Sequence, residues 1–144
     1  MENKRRASIL LPMKLKGGEL FVYLQKRSLM VKSIPGYFGL VGGGVENNET
    51  EEQGLVREVK EEIGLDLDLA KVKRFNRYEF LKAIKYVYLF EHEEHWEDKI
   101  IFDEESDYGQ WFSTQAALAL EKFILEDKIV INDLERALLK KPIK

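Results

Sequence analysis

A 23-residue segment, 43–65 (GGVENNETEEQGLVREVKEEIGL), restricts the folds open to this chain more than any other feature. It holds a helix with both ends written into it. Thr50 is an N-cap, Gln53 completes a capping box, Glu51 and Glu52 occupy the first turn where the helix dipole favours acid, and Gly64 follows the last turn. The expected span is Glu51–Ile63. Leu55, Val56, Val59 and Ile63 form an apolar stripe, so this helix packs on a core, while Glu58, Glu61 and Glu62, at i, i+3 and i+4, share a neighbouring face. Three carboxylates on one face repel one another, and such a face is either solvated or used to hold a hard cation such as Mg²⁺. Gly54, inside the helix, costs roughly 1 kcal/mol relative to alanine, which implies close packing against another backbone.

The chain has 144 residues, 44% of them hydrophobic, which suits one domain over 1–144 with one sizeable core. A net charge of −3 provides no basic field for gripping a long nucleic acid. The absence of cysteine excludes disulfides, thiolate metal sites and a cysteine nucleophile, and suits a reducing cytoplasm. The apolar run 9–13 is too short for a signal peptide, and no stretch approaches the ~20 apolar residues of a membrane helix. Composition sets no oligomeric state, and a homodimer is compatible with it.

Residues 8–13 and 20–25 read as the two strands of a hairpin turning at Gly17-Gly18, followed by a loop over 28–35 and a short extended piece over 36–41. Gly42-Gly43-Gly44 is either an ordinary tight turn or a place where a ligand approaches main-chain groups closely. Residues 72–81 and 85–91 read as strands, the second nearly continuous in apolar side chains as a buried strand is, so a mixed or antiparallel sheet is expected. The acidic run 92–98 reads as a solvated loop, and His92 and His95 lack the spacing of a zinc-protease helix. A short strand is expected at 100–102, an acidic loop over 103–109 and a return to apolar structure at 110–112. A helix over 115–122 capped by Ser113 or Thr114, and a last helix from about Asn132 to Leu139, complete the chain.

The central segment fits a longer pattern: Gly43, five residues, Glu49, seven residues, Arg57-Glu58, aliphatic Val59, one residue, Glu61-Glu62, one residue, Gly64 and aliphatic Leu65. This resembles the Nudix box, and every defined position is met. At about 7% per residue, seven fixed identities coincide by chance on the order of once in ten to the eighth starts. The resemblance implies an α/β fold, a Nudix-type α/β/α sandwich with a mixed central sheet between helices. It also implies metal-dependent hydrolysis of a diphosphate linked to another moiety, by water attack on phosphorus in a small nucleotide-type substrate. The alternative is a Nudix-like module that binds or senses a nucleotide without cleaving it, which degenerate box carboxylates would mark. An isopentenyl diphosphate isomerase, similar in its metal glutamates, needs a cysteine that this chain lacks.

For individual residues, the resemblance implies metal ligation (Mg²⁺, with Mn²⁺ as a substitute) by Glu58 and Glu62, with Glu61 as a further ligand or water-activating base, and by the carbonyl of Gly42. Arg57 is expected to orient carboxylates such as Glu49 or Glu61 rather than react. A glutamate late in the chain, Glu105 with Glu104 in reserve, is the candidate to complete the site. Many relatives carry proline where this chain has Val41, so the loop geometry there departs from the pattern. Arg27, and Arg74 or Arg77, are candidates for substrate phosphates, with surface positions as the simpler account. Tyr37, Phe38, Tyr78 and Phe112 are candidates for stacking on a base, or members of the core.

Overall fold

The structure, a computed structural model, describes residues 4–139; the remaining residues of the 1–144 span lie outside it. Strand β1 (Arg5–Lys16) organises the sheet because Ala7 to Met13 are buried without a break. It forms the expected hairpin with β2 (Glu19–Arg27), and the turn between them uses Gly17 and Gly18, both at positive φ. On its other side β1 pairs in parallel with β6 (Ala83–Glu91), which pairs antiparallel with β5 (Val72–Glu79). The path is completed by β3 (Phe38–Gly39), giving the order β3-β2-β1-β6-β5, while β4 (Val41–Gly44) pairs with β1 and β7 (Ser106–Ser113) with β2. A seven-stranded mixed sheet results.

Alternation along β1 divides the interior into two cores. Ala7, Ile9, Leu11 and Met13 face one side, where helices α2 (Thr114–Leu118) and α3 (Leu125–Leu138) add Ala117, Val130, Ile131 and Leu134. Leu10 faces the other, where helix α1 (Glu51–Ile63) adds Leu55, Val59 and Ile63. Helices therefore cover both faces, and the fold is the expected α/β/α sandwich. Phe38, Tyr78 and Phe112 pack against the α3-side core, which is where their apolar surface goes.

Several local expectations change, among them the acidic loop over 103–109, which is cut short where β7 begins at Ser106 and pairs with β2. The glycine run is no turn: Gly42, Gly43 and Gly44 form most of strand β4, in register with Ile9, Ser8 and Ala7 of β1. The last helix begins at Leu125 rather than Asn132, and the helix after β7 ends at Leu118. Residues 100–102 are not a strand; this segment runs beside the end of α1, where Ile101 N–H donates to Ile63 O and Asp103 N–H to Glu62 O. The run 92–98 is only partly solvated, since Trp96 opens a single 3-10 turn (Trp96–Lys99) and is buried against Tyr23 and Phe90.

Candidate active site

Helix α1 has the limits that its capping residues specify. Thr50 Oγ1 accepts from Gln53 N–H at 3.1 Å, Gln53 Oε1 accepts from Thr50 N–H at 2.9 Å, and Gly64, at φ 71°, closes the helix on Lys60 O. With Leu55, Val59 and Ile63 fully buried, the rotation of the helix is fixed, and Glu58 and Glu62 come to lie over β4. Two glycines allow this approach. At Gly42, whose φ is 152°, a Cβ would run into Ser8 O and stand 2.8 Å from Ile9 Cα; at Gly43 it would collide with the Glu58 carboxylate. Gly54, on the helix itself, faces Val45, whose Cα would lie 3.4 Å from an added Cβ.

Arg57 is the hub of the segment. Its Nε and Nη2 form a fork on Glu49 at 2.7 and 2.9 Å, Nη2 also donates to Gly44 O at 2.8 Å, and Nη1 reaches Glu58 Oε1 at 3.0 Å and Glu61 Oε2 at 3.2 Å. One guanidinium thus joins the loop before the helix, strand β4 and the helix face. The Arg57 bonds, aided by Glu46 N–H, hold the Glu49 carboxyl down at about 2, from an ordinary 4.5. Glu49 is therefore charged and fixed well before any substrate arrives.

Glu62 is in the opposite situation. Burial pushes its carboxyl up to about 8, against the Gly42 N–H that donates to Oε2 at 2.8 Å, and the charges of Glu58, Asp103 and Glu105 add to the rise. Burial also raises Glu58, with Arg57 opposing. Glu61 is more than half exposed. Among the described residues, no three acidic or imidazole side chains converge into a ready-made metal cage. The donor set nevertheless fits a hard divalent cation. Glu58 Oε2 and Glu62 Oε1 have no protein hydrogen bond among the described residues, and the excess negative charge around Glu62 is what such an ion would offset.

Glu105 belongs to this electrostatic cluster, and its loop is tied in by Ser28 N–H donating to Glu105 O and by Glu105 N–H donating to Asp103 Oδ1. Asp103, absent from the sequence-based candidates, stands beside Glu62 through its own N–H bond to Glu62 O. Its only sequence signal is that it opens the acidic run 103–105. Arg27 ends β2 in register with Ser106, next to Glu105, with its Nε donating to Ser33 O. Arg77 is not brought to the cluster: it lies on edge strand β5 and reaches Glu79. Arg74 pairs with Glu51 at the opposite end of α1.

Comparison with known proteins gives the family and the fold. A NUDIX domain model matches residues 3–134. The dihydroneopterin triphosphate diphosphatase of Escherichia coli K12 is 31% identical over 134 residues, covering 83% of this chain and 85% of that protein. The nucleoside triphosphatase NudI of Enterobacter sp. is 49% identical over 40 residues, 28% of each chain. A MutT/nudix family protein from Enterococcus faecalis has the same fold, with a TM-score of 0.74 and 18% identity over 95% of this chain and 63% of that one. This chain thus spans less than two thirds of the Enterobacter and Enterococcus proteins it matches. A family model running over nearly the whole chain, with one relative aligned along most of its length, makes the assignment: the chain belongs to the NUDIX domain family.

Proposed function

We propose that this chain hydrolyses a phosphoanhydride of a nucleoside triphosphate or a pteridine triphosphate in the presence of Mg²⁺, for which Mn²⁺ substitutes. The observation that carries the proposal is the seating of Glu58 and Glu62 over the glycines of β4, with Arg57 holding Glu58, Glu61 and Glu49 around them. The substrate class is supported by the relatives, whose names specify a dihydroneopterin triphosphate and nucleoside triphosphates. In this proposal residues 1–144 act as one domain in the cytoplasm.

Glu58 and Glu62, with Glu105 and the Gly42 carbonyl, would hold the ion, and Asp103 adds charge beside them. When bound, the cation neutralises phosphate oxygens and lowers the pKa of water. The chain's own residues do the rest. Arg57 and Glu49 fix the carboxylates so that little reorganisation is needed during reaction. A carboxylate, Glu61 or Glu105, takes the proton as water oxygen bonds to phosphorus and the bridging P–O bond breaks, its electron pair leaving with the departing phosphate. Arg27, beside the Glu105 loop, is the candidate to contact a phosphate, while Arg77 pairs with Glu79 on β5.

Incubating the protein with nucleoside triphosphates, dihydroneopterin triphosphate, ADP-ribose and nucleotide sugars, with Mg²⁺ in ¹⁸O-labelled water, tests this directly. The expected result is cleavage of at least one triphosphate, with the label in one phosphate-bearing product by mass. Tight binding without turnover would instead establish a sensor module, and neither binding nor turnover would refute the proposal.

A further inference from the structure

Beside the box, at the end of β4, the chain forms a cleft of about 720 Å³ lined by Lys4, Arg5, Arg6, Val45, Asn47, Glu79 and Ile84. Three consecutive cations at the start of the chain meet there, and two of them are already engaged. Lys4 Nζ pairs with Glu79 at 3.0 Å, and Arg6 Nη2 donates to Glu49 O at 3.1 Å. Arg5 has no side-chain hydrogen bond or ion pair among the described residues. Its position is nonetheless defined: the guanidinium lies across Gly44, where an added Cβ would be 2.8 Å from Nη2 and 2.9 Å from Nε. Gly44 is the residue whose carbonyl binds Arg57, and its neighbour Gly43 lies against Glu58. Arg5 is also close enough for its charge to act on the Glu58 carboxyl.

We infer that Arg5 is a substrate-binding residue whose guanidinium grips a phosphate oxygen of the bound phosphoanhydride across Gly44. This rests on the proposed hydrolysis and adds a phosphate contact that the Nudix box does not contain. A pyrophosphate chain held through a divalent cation at Glu58 and Glu62 would carry more negative charge than that cation neutralises, and its remaining oxygens would need donors. The guanidinium offers two parallel N–H groups in the geometry that phosphate oxygens accept. The missing Cβ at Gly44 is what lets it come this close to the strand. The cleft beyond it, bordered by Val45 and Asn47, then takes the phosphate-proximal part of the substrate.

The test compares the wild-type chain with Arg5→Ala, Arg5→Lys and Lys16→Ala, the last removing an exposed cation at the other end of β1. Two quantities are read: KM and kcat for the best triphosphate of the panel, and the affinity for inorganic pyrophosphate with Mg²⁺ by calorimetry. Arg5→Ala is expected to raise KM and the pyrophosphate Kd about tenfold or more, as loss of a charged hydrogen bond does. Arg5→Lys should recover part of both, and Lys16→Ala should match wild type. An Arg5→Ala protein with unchanged KM and unchanged pyrophosphate affinity overturns the assignment, as does an equal loss in Lys16→Ala, which would mark a net-charge effect. A wild-type chain that neither cleaves a triphosphate nor binds pyrophosphate would instead sink the hydrolase proposal on which this rests.

Discussion

The bonds around Arg57 favour the charged form of the carboxylates they reach, most of all Glu49. Glu49 is held down at about 2, first by the Arg57 hydrogen bonds, so the native state keeps it ionised after the unfolded chain has taken up a proton near 4.5. The stability this supplies is complete above pH 4.5 and is lost as pH falls toward 2. Urea midpoints measured between pH 7 and 2.5 should therefore fall less steeply on the acid side in Glu49→Gln than in wild type; parallel acid limbs would show that Arg57 does not hold Glu49 in solution. Arg57→Lys keeps the charge but loses the fork that joins Glu49, Gly44 and Glu58, and kcat on the best substrate should drop about tenfold to a hundredfold with the fold retained by circular dichroism.

Helix α1 shows what is legible in a sequence and β4 what is not. Every determinant of α1 is local: Thr50 and Gln53 start it, Gly64 stops it, and Leu55, Val59 and Ile63 aim it. Thr50→Ala should cost about 1 kcal/mol by chemical denaturation, and Leu55→Ala, which empties a fully buried position, about 2–5 kcal/mol. Glycines 42–44 have no local preference for a strand; pairing with β1 decides it, and that partner lies more than thirty residues away in sequence. The start of α3 is hidden for another reason. Its N-cap is Ile124, with no capping side chain, so Leu125 bears no start signal while Asn132 inside the helix resembles one. At the site, the box residues were legible because their spacing is helical. Asp103 was not, since it reaches Glu62 only through a segment folded back along α1.

At the scale of the whole molecule, one buried acid ties the second helical layer to the strand that leads into the site. Asp127 of α3 is almost fully buried, accepts from Leu40 N–H at 3.0 Å and faces Lys85 Nζ of β6 at 3.4 Å. Lys85 also meets Glu126 at 2.9 Å. Asp127→Ala would leave the Leu40 amide and part of the Lys85 charge without a partner, and a loss of about 3 kcal/mol in unfolding free energy is expected by urea titration. Leu40 precedes Val41–Gly44, so this tie links α3 to the register of β4 from the face opposite α1. The sandwich thus holds the glycine strand from both sides, one through Asp127 and the other through Arg57 and Glu62. The account's central claim is that the carboxylates seated over that strand drive metal-dependent hydrolysis, and the turnover of Glu62→Gln against a Mg²⁺ titration tests it most directly. Glutamine can keep the bond from Gly42 N–H, so the variant should fold as well as wild type while its kcat falls about a hundredfold or more at every Mg²⁺ concentration. A folded Glu62→Gln protein with turnover within threefold of wild type, or a wild-type activity indifferent to chelation of the metal, would contradict the account.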